Sequence, residues 1–207
     1  QLARGRIISS PSQPTLGNLR SFLQDYFETP RLTAGDNFWF FFAGHGLRYT
    51  DRDYLMPCDA NPRDVEHTAI PVSYVTERLR RCGADNVILL LDACRDQNTR
   101  ASEGIGREHQ KGVITLFSCS PNERSYEIND LQQGSFTYAL LEALRFQGER
   151  NCATVERLDR YLCHRVAELN LQYKKAQQIP YIVVEPPEKY HLILFPKYAT
   201  QIDTDTL

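Results

Sequence analysis

Apolar residues recur along the chain with two alternating periods. Between Thr15 and Phe27, Leu16, Leu19, Phe22, Leu23 and Phe27 fall at helical spacing, and Pro30 with Gly35 closes the segment. The run Asn37–Ala43 is then almost wholly apolar and bounded by Gly35 and Gly44, which predicts a strand buried on both faces. A second helix is predicted over Ser73–Arg81, with Ser73 as N-cap and Cys82-Gly83 as its stop. Asn86–Asp92 repeats the buried-strand pattern, and Gly112–Ser118 supplies a third apolar strand. Between them, Arg95–Gly112 has no apolar period and collects Gly, Ser, Asn, Gln and charges, the composition of an exposed mobile loop. Helices are predicted over Ser135–Arg145, with Phe136, Ala139, Leu140, Ala143 and Leu144 inward, and over Thr154–Leu169. Strand-like Tyr181–Val184 and Tyr190–Phe195 flank Pro186-Pro187, and a polar tail follows Pro196.

Helices alternating with buried strands imply an α/β three-layer α/β/α sandwich around a mostly parallel sheet. The pattern gives one domain over 1–196 and a tail or linker over 197–207, with no internal repeat. Ligands and catalysis in such sheets sit at the carboxyl ends of strands. Two strands end in chemically loaded sequences, Phe42-Ala43-Gly44-His45-Gly46 and Leu91-Asp92-Ala93-Cys94-Arg95.

Composition narrows this without redirecting it. The chain has 207 residues, enough for one well-buried core. With 42% apolar and 24% charged residues and a net charge of −2, nothing points to nucleic acid or an anionic membrane as partner. No apolar run is long enough to cross a bilayer, and no signal-type start is present, so the expected compartment is cytoplasmic. Cys58, Cys82, Cys94, Cys119, Cys152 and Cys163 are scattered, without zinc spacing or disulfide-scaffold density, and read as reduced thiols. His67, His109, His164 and His191 show no metal spacing. Because the chain begins at Gln1 rather than Met, an N-terminal segment of the domain is expected upstream.

A thiol becomes a useful nucleophile when an imidazole can accept or balance its proton. Cys94 and His45, carried on two strand ends, meet that need. Gly44 and Gly46 leave room for a substrate carbonyl and permit unusual backbone conformations, and the amides of Gly46 and Cys94 are candidate oxyanion donors. Alone, a strand-end Cys reads as a small buried hydrophobe and Gly-His-Gly as a turn. Here each follows an all-apolar strand, His first and Cys 49 positions later.

Five ordered motifs carry a family resemblance: Phe41-Phe42-Ala43-Gly44-His45-Gly46, Asp53-Tyr54-Leu55-Met56-Pro57-Cys58-Asp59, Leu89-Leu90-Leu91-Asp92-Ala93-Cys94-Arg95, Ser118-Cys119-Ser120 with Ser125-Tyr126-Glu127, and Gly134-Ser135-Phe136-Thr137-Tyr138-Ala139-Leu140-Leu141. From Leu16 to Pro196 the chain resembles the caspase-like peptidases, and within them the bacterial metacaspase relatives called orthocaspases. The resemblance implies a caspase-like fold, a large-subunit-like part to about Cys94, a linker over 95–112 and a small-subunit-like part over 113–196. It also implies a Cys94–His45 dyad and an acyl-enzyme intermediate.

True caspases carry Gln-Ala-Cys and hold a substrate aspartate with arginines, whereas this chain has Asp92 two residues before Cys94, as metacaspases do. An acidic pocket floor favours a cationic partner, and a charge-assisted pair there contributes on the order of 2–3 kcal/mol. Peptide substrates with Arg or Lys before the cut are therefore expected, Arg being favoured for its fork-shaped donors. The alternative role for Asp92 is to cap the following turn. By resemblance, Ala43, Ser118, Ser125 and Tyr126 line the pocket, with Ala43 in place of the common metacaspase Ser. A second acidic residue drawn from the family's opening strand has no counterpart here and is expected upstream of Gln1.

The basic residues Arg100, Arg107 and Lys111 in the 95–112 loop are candidate self-cleavage sites, the alternative being a solvated connector. Asp51, Asp53 and Asp59 raise calcium, which some metacaspases require, but their spacing is not that of an EF-hand loop, and activity without metal is expected. A monomer is expected, although a last strand near Tyr190–Phe195 offers the pairing edge of true caspases. Two other classes compete with an active endopeptidase. One is a catalytically silent caspase-like interaction module. The other is a flavodoxin-like binder, which lacks a Gly-rich phosphate loop.

Overall fold

The computed structural model describes residues 13–95, 105, 112–121, 123–147 and 151–195, with the side chains of residues 94 and 95 outside the described set. Thr15 opens helix α1 (Leu16–Phe27) by accepting the Asn18 N–H on its hydroxyl at 3.3 Å, and the helix buries Leu23 and Phe27. The apolar runs become β1 (Asn37–Tyr49), β4 (Asn86–Arg95) and β5 (Ile114–Phe117). Between the first two lie β2 (Arg52–Met56), the short helix α2 (Val65–Thr68), β3 (Ile70–Pro71) and α3 (Val72–Leu79). A small hairpin, β6 (Glu127–Ile128) with β7 (Gln133–Gly134), leads into α4 (Ser135–Ala143), α5 (Val155–Gln172) and β8 (Tyr181–Val184).

Six strands form one sheet in the order β3-β2-β1-β4-β5-β8. The central trio β1, β4 and β5 is parallel, and the strands outside it pair antiparallel. Strand alternation makes the two covering layers. Ile88 and Leu90 of β4, with Ile114 and Leu116 of β5, pack under α4 and α5 against Phe136, Leu140, Leu158, Leu162 and Val166. Val87, Leu89 and Leu91 pack on the other face against Leu23 and Phe27 of α1 and Val72, Val75 and Leu79 of α3. The α/β three-layer class read from the sequence holds, with antiparallel strands added at both margins.

Three local expectations change. First, β1 does not stop at Ala43 but runs through Gly44-His45-Gly46 and turns back into β2, with Tyr49 opposite Arg52. The two loop residues, Thr50 and Asp51, have φ of 44° and 64°, the left-handed pair that a tight hairpin needs. An ion pair from Arg48 to the buried Asp53, at 3.1 Å, spans the hairpin. Second, Ser73 is not the N-cap of its helix: Pro71 occupies that position and Ser73 lies inside α3. Third, Tyr190–Phe195 forms no strand. Pro187 starts a 3₁₀ turn over Pro187–His191, and the chain after it binds the entry to α5, through Val155 N–H to Leu192 O at 3.1 Å and a single bridge between Thr154 and Ile193. The pairing edge expected there is therefore absent among the described residues.

Candidate active site

The parallel register of β1 and β4 assembles the site. Ala43 lies opposite Asp92 and His45 opposite Cys94, so the four positions form a block at the carboxyl end of the sheet's central pair. Alternation places Ala43 and His45 on the same face of β1 as Trp39, and Asp92 on the same face of β4 as Ile88 and Leu90, which is the α4–α5 side. His45 is exposed and Asp92 half-buried.

Asp92 sits in a cavity of about 400 Å³ lined by Phe41, Ala43, Gly44, His45, Ser125, Glu127, Gln133, Gly134 and Thr137. Its two carboxylate oxygens are held separately: Ser125 Oγ donates to Oδ1 at 2.7 Å and Thr137 Oγ1 donates to Oδ2 at 2.6 Å. A carboxylate offers about four lone-pair positions, so each oxygen keeps one for a ligand. Gly134 packs closely beside it: a Cβ there would lie 3.1 Å from Asp92 Oδ2, so the carboxylate would have to shift by a few tenths of an ångström. The bonds come from residues remote in sequence, which ties the carboxylate to the cavity wall. Glu127, exposed on the β6–β7 hairpin, adds a second carboxylate to the lining.

A second cavity of about 620 Å³ shares Phe41, Ala43, Gly44 and His45 with the first but is otherwise apolar, reaching Leu19, Phe22, Phe40, Leu47 and Met56. It follows the outer edge of β1. Strand β2 pairs with β1 only from His45 onward, which leaves Asn37–Gly44 with no strand neighbour on that side among the described residues.

The glycines beside His45 act through space rather than through unusual dihedrals. Neither has a positive φ; a Cβ on Gly46 would meet Ile105 at 3.0 Å and Ala93 at 3.2 Å, and one on Gly44 would meet the Phe42 ring at 3.1 Å. Gly46 has strand neighbours on both sides, Leu55 and Arg95. Of the expected pocket residues, Ala43 and Ser125 line the acidic cavity with Asp92, whereas Ser118 and Tyr126 stand behind it. The Ser118 side chain is 1% exposed, and the Tyr126 backbone, not its ring, is tied into the support. Arg100, Arg107 and Lys111 lie outside the described residues, as does the Cys94 side chain.

The remaining thiols are poorly placed to act as nucleophiles. Burial pushes Cys152 and Cys163 up to about 11, and Cys82 and Cys119 are also buried. Cys58 alone among these five is exposed, in the apolar cavity. Among the described residues no group of three or more His, Cys, Asp or Glu side chains could hold a metal ion, and no helix is long and apolar enough to cross a membrane.

Sequence reasoning missed Thr137, Glu127, Gln133, Gly134 and Gln178. Four of them lie in or between the quoted motifs around Ser125 and Gly134, but which member of a motif points at Asp92 depends on the hairpin and helix start that the short segment forms. Gln178 had no sequence signal at all.

A family model for the caspase domain matches residues 7–191. The paracaspase of Dictyostelium discoideum is 28% identical over 119 residues, which make up 56% of this chain and 28% of that protein, so the match spans well under half of the relative. Among solved structures, the Geobacter sulfurreducens protein GSU0716 superposes with a TM-score of 0.53 at 13% identity, covering 87% of this chain and 78% of that one. Caspase-1 from Spodoptera frugiperda gives a TM-score of 0.48 at 14% identity, covering 83% and 68% respectively. At 13% identity the likeness to the Geobacter protein concerns the fold alone.

Proposed function

The chain belongs to the caspase-domain family, and we propose that it is a cysteine endopeptidase that cuts after Arg or Lys with Cys94 and His45. The observation that carries this reading is the register block: His45 opposite Cys94, and beside them Asp92 at the floor of a cavity that His45 also lines. Cys94 as thiolate attacks the scissile carbonyl, with His45 taking up the thiol proton. The oxyanion is met by the N–H groups of Gly46 and Cys94. Collapse breaks the C–N bond as His45 returns the proton to the leaving amine, leaving a thioester that water hydrolyses. Asp92, with both oxygens already fixed by hydroxyl donors, presents its free lone pairs to the guanidinium or ammonium of the residue before the cut.

The proposed specificity for Arg and Lys is compatible with self-cleavage after Arg100, Arg107 or Lys111, and the proposal extends to activity without calcium or another metal and to action as a cytoplasmic monomer. The lack of a strand neighbour along Asn37–Gly44 among the described residues supports a further strand of the same domain pairing there.

The decisive experiment is a panel of fluorogenic peptides differing only in the residue before the cut, with and without calcium. Wild type is expected to cleave Arg and Lys peptides, Cys94→Ala and His45→Ala to lose at least about 10³-fold in kcat/KM, and Cys58→Ser to stay within about two-fold. Turnover retained by Cys94→Ala refutes the dyad. No turnover of any peptide by wild type leaves a silent interaction module in its place.

A further inference from the structure

Asp92 is held by groups that are themselves held, and the holding converges on one side chain outside the cavity. Gln178 precedes β8 and is 0% exposed. Its Oε1 accepts from Tyr126 N–H at 3.1 Å, Ser135 Oγ at 2.9 Å and Asn170 Nδ2 at 3.1 Å. Its Nε2 donates to Ser118 O at 2.7 Å and to Ser125 Oγ at 3.3 Å. The orientation of the amide is settled by these partners. A flipped amide would aim its NH₂ at the Tyr126 N–H and the Asn170 NH₂, both donors.

That orientation has a directional consequence. Ser125 Oγ, accepting from Gln178, turns its one proton toward Asp92 Oδ1. On the other side, Ser135 binds Gln178 and its own N–H binds Tyr126 O at 2.9 Å, which seats the first turn of α4, from which Thr137 reaches Asp92 Oδ2. Both clamps on the carboxylate therefore run back to one amide, anchored in turn to β5's end through Ser118 and to α5 through Asn170. Among the described residues Ser118 Oγ and Asn170 Oδ1 have no partner, so the geometry rests on the bonds that converge on the Gln178 amide, and removing that amide releases both clamps.

We infer that Gln178 is a positioning residue for substrate choice: through Ser125 and the start of α4 it sets where the Asp92 lone pairs point, and so sets the preference for a planar guanidinium. This rests on the reading of Asp92 as the floor of the pocket for the residue before the cut. Gln178 touches no substrate and takes no part in the Cys94–His45 chemistry, so its removal acts on KM for cationic substrates and leaves kcat alone.

The test compares an Arg peptide with its citrulline analogue, a neutral isostere, in wild type, Gln178→Met, Ser125→Ala and the double variant. Gln178→Met keeps the side-chain length and removes all five hydrogen bonds. Expected is a fall of about ten-fold in kcat/KM for the Arg peptide, carried by KM, with the citrulline peptide unchanged. The double variant should be no worse than the poorer single one, because both act on one interaction. Equal losses on both peptides, or effects of Gln178 and Ser125 that multiply, overturn the inference and leave Gln178 a core residue. If Gln178→Met does not fold, Ser135→Ala takes its place. It removes one donor to Oε1, and an unchanged Arg-to-citrulline ratio there overturns the inference. Failure of the underlying reading looks different: wild type would then show no preference for Arg over citrulline. A wild-type preference that survives intact in Gln178→Met removes the inference alone.

Discussion

β1 and β4 lie side by side, parallel and paired from Asn37 opposite Asn86 to Gly46 opposite Arg95, and both are almost wholly apolar before they reach the site. Their surroundings differ sharply. Val87, Ile88, Leu89, Leu90 and Leu91 of β4 are all buried, whereas on β1 Phe38, Trp39, Phe40 and Phe42 are half-buried and Phe41 is 45% exposed. β4 has a strand on each edge and a helical layer on each face. β1 has β4 on one edge and, along Asn37–Gly44, the apolar cavity on the other. An apolar run thus records a strand built to be covered, while the number of neighbours decides whether it is. Asp92 and Cys94 ride on the enclosed strand, and Ala43 and His45 ride on the one whose outer edge has no strand neighbour along Asn37–Gly44 among the described residues.

The largest expected effect tests that difference in the strands themselves. Leu89 is 0% exposed and faces α1 and α3. Leu89→Ala therefore removes a buried side chain and leaves a cavity, a loss of about 3–4 kcal/mol by the range for fully buried leucines. Phe41, opposite Leu90 in the register, already gives much of its ring to solvent. Phe41→Ala should cost about 1 kcal/mol or less, since burial already incomplete returns little transfer energy. Chemical denaturation of the two variants checks this, and equal losses would mean that β1 is as enclosed as β4.

The same contrast shows what the sequence made legible. Helices α1 and α5 were readable to within a few residues because their apolar spacing coincides with a local cap, Thr15 and Thr154, whose hydroxyls accept from Asn18 and Arg157 N–H, whereas α4, which opens at Gly134 without a capping side chain, was readable from its apolar spacing alone. Strand identity was readable too, and so were the two loaded strand segments that the register sets side by side, His45 opposite Cys94. Edge status was not, because it depends on which strands arrive alongside. The continuation of β1 past His45 was hidden because the Thr50-Asp51 turn lacks the glycine that marks most tight hairpins. Asp92 was legible as a carboxylate two residues before Cys94. Its holders Thr137 and Gln178 were not, since long-range hydrogen bonds to a buried amide leave no periodicity. Tyr190–Phe195 looked like a strand by composition, but Pro186 and Pro187 precede it and its backbone is spent on Ala153 and Val155.

A smaller effect is expected where the two strands meet the substrate. Asp92 and Ala43 are register partners at the cavity wall. Asp92→Asn preserves volume and removes the charge, so kcat/KM for an Arg peptide should drop about 100-fold, matching the 2–3 kcal/mol of a charge-assisted pair. Ala43→Ser adds a hydroxyl to an exposed wall and should change the same quantity by no more than about three-fold. A comparable loss at both positions would spread substrate choice across β1 and β4 rather than seat it on β4.

The smallest effect separates floor from rim within the acidic cavity. Glu127 is exposed on the β6–β7 hairpin, while Asp92 is half-buried and doubly hydrogen-bonded. Solvent screens a rim carboxylate far more than a clamped one, and added salt screens it further. Glu127→Gln should therefore lower kcat/KM for Arg peptides about two- to three-fold at low ionic strength, and the difference should vanish near 0.5 M salt, where the Debye length is only a few ångströms. The Asp92→Asn loss should persist under the same salt, because its carboxylate meets the substrate cation at contact rather than across solvent. If Glu127→Gln instead cost ten-fold or more and resisted salt, the cation would be held by the hairpin. The enclosed strand would then supply the nucleophile without choosing the substrate.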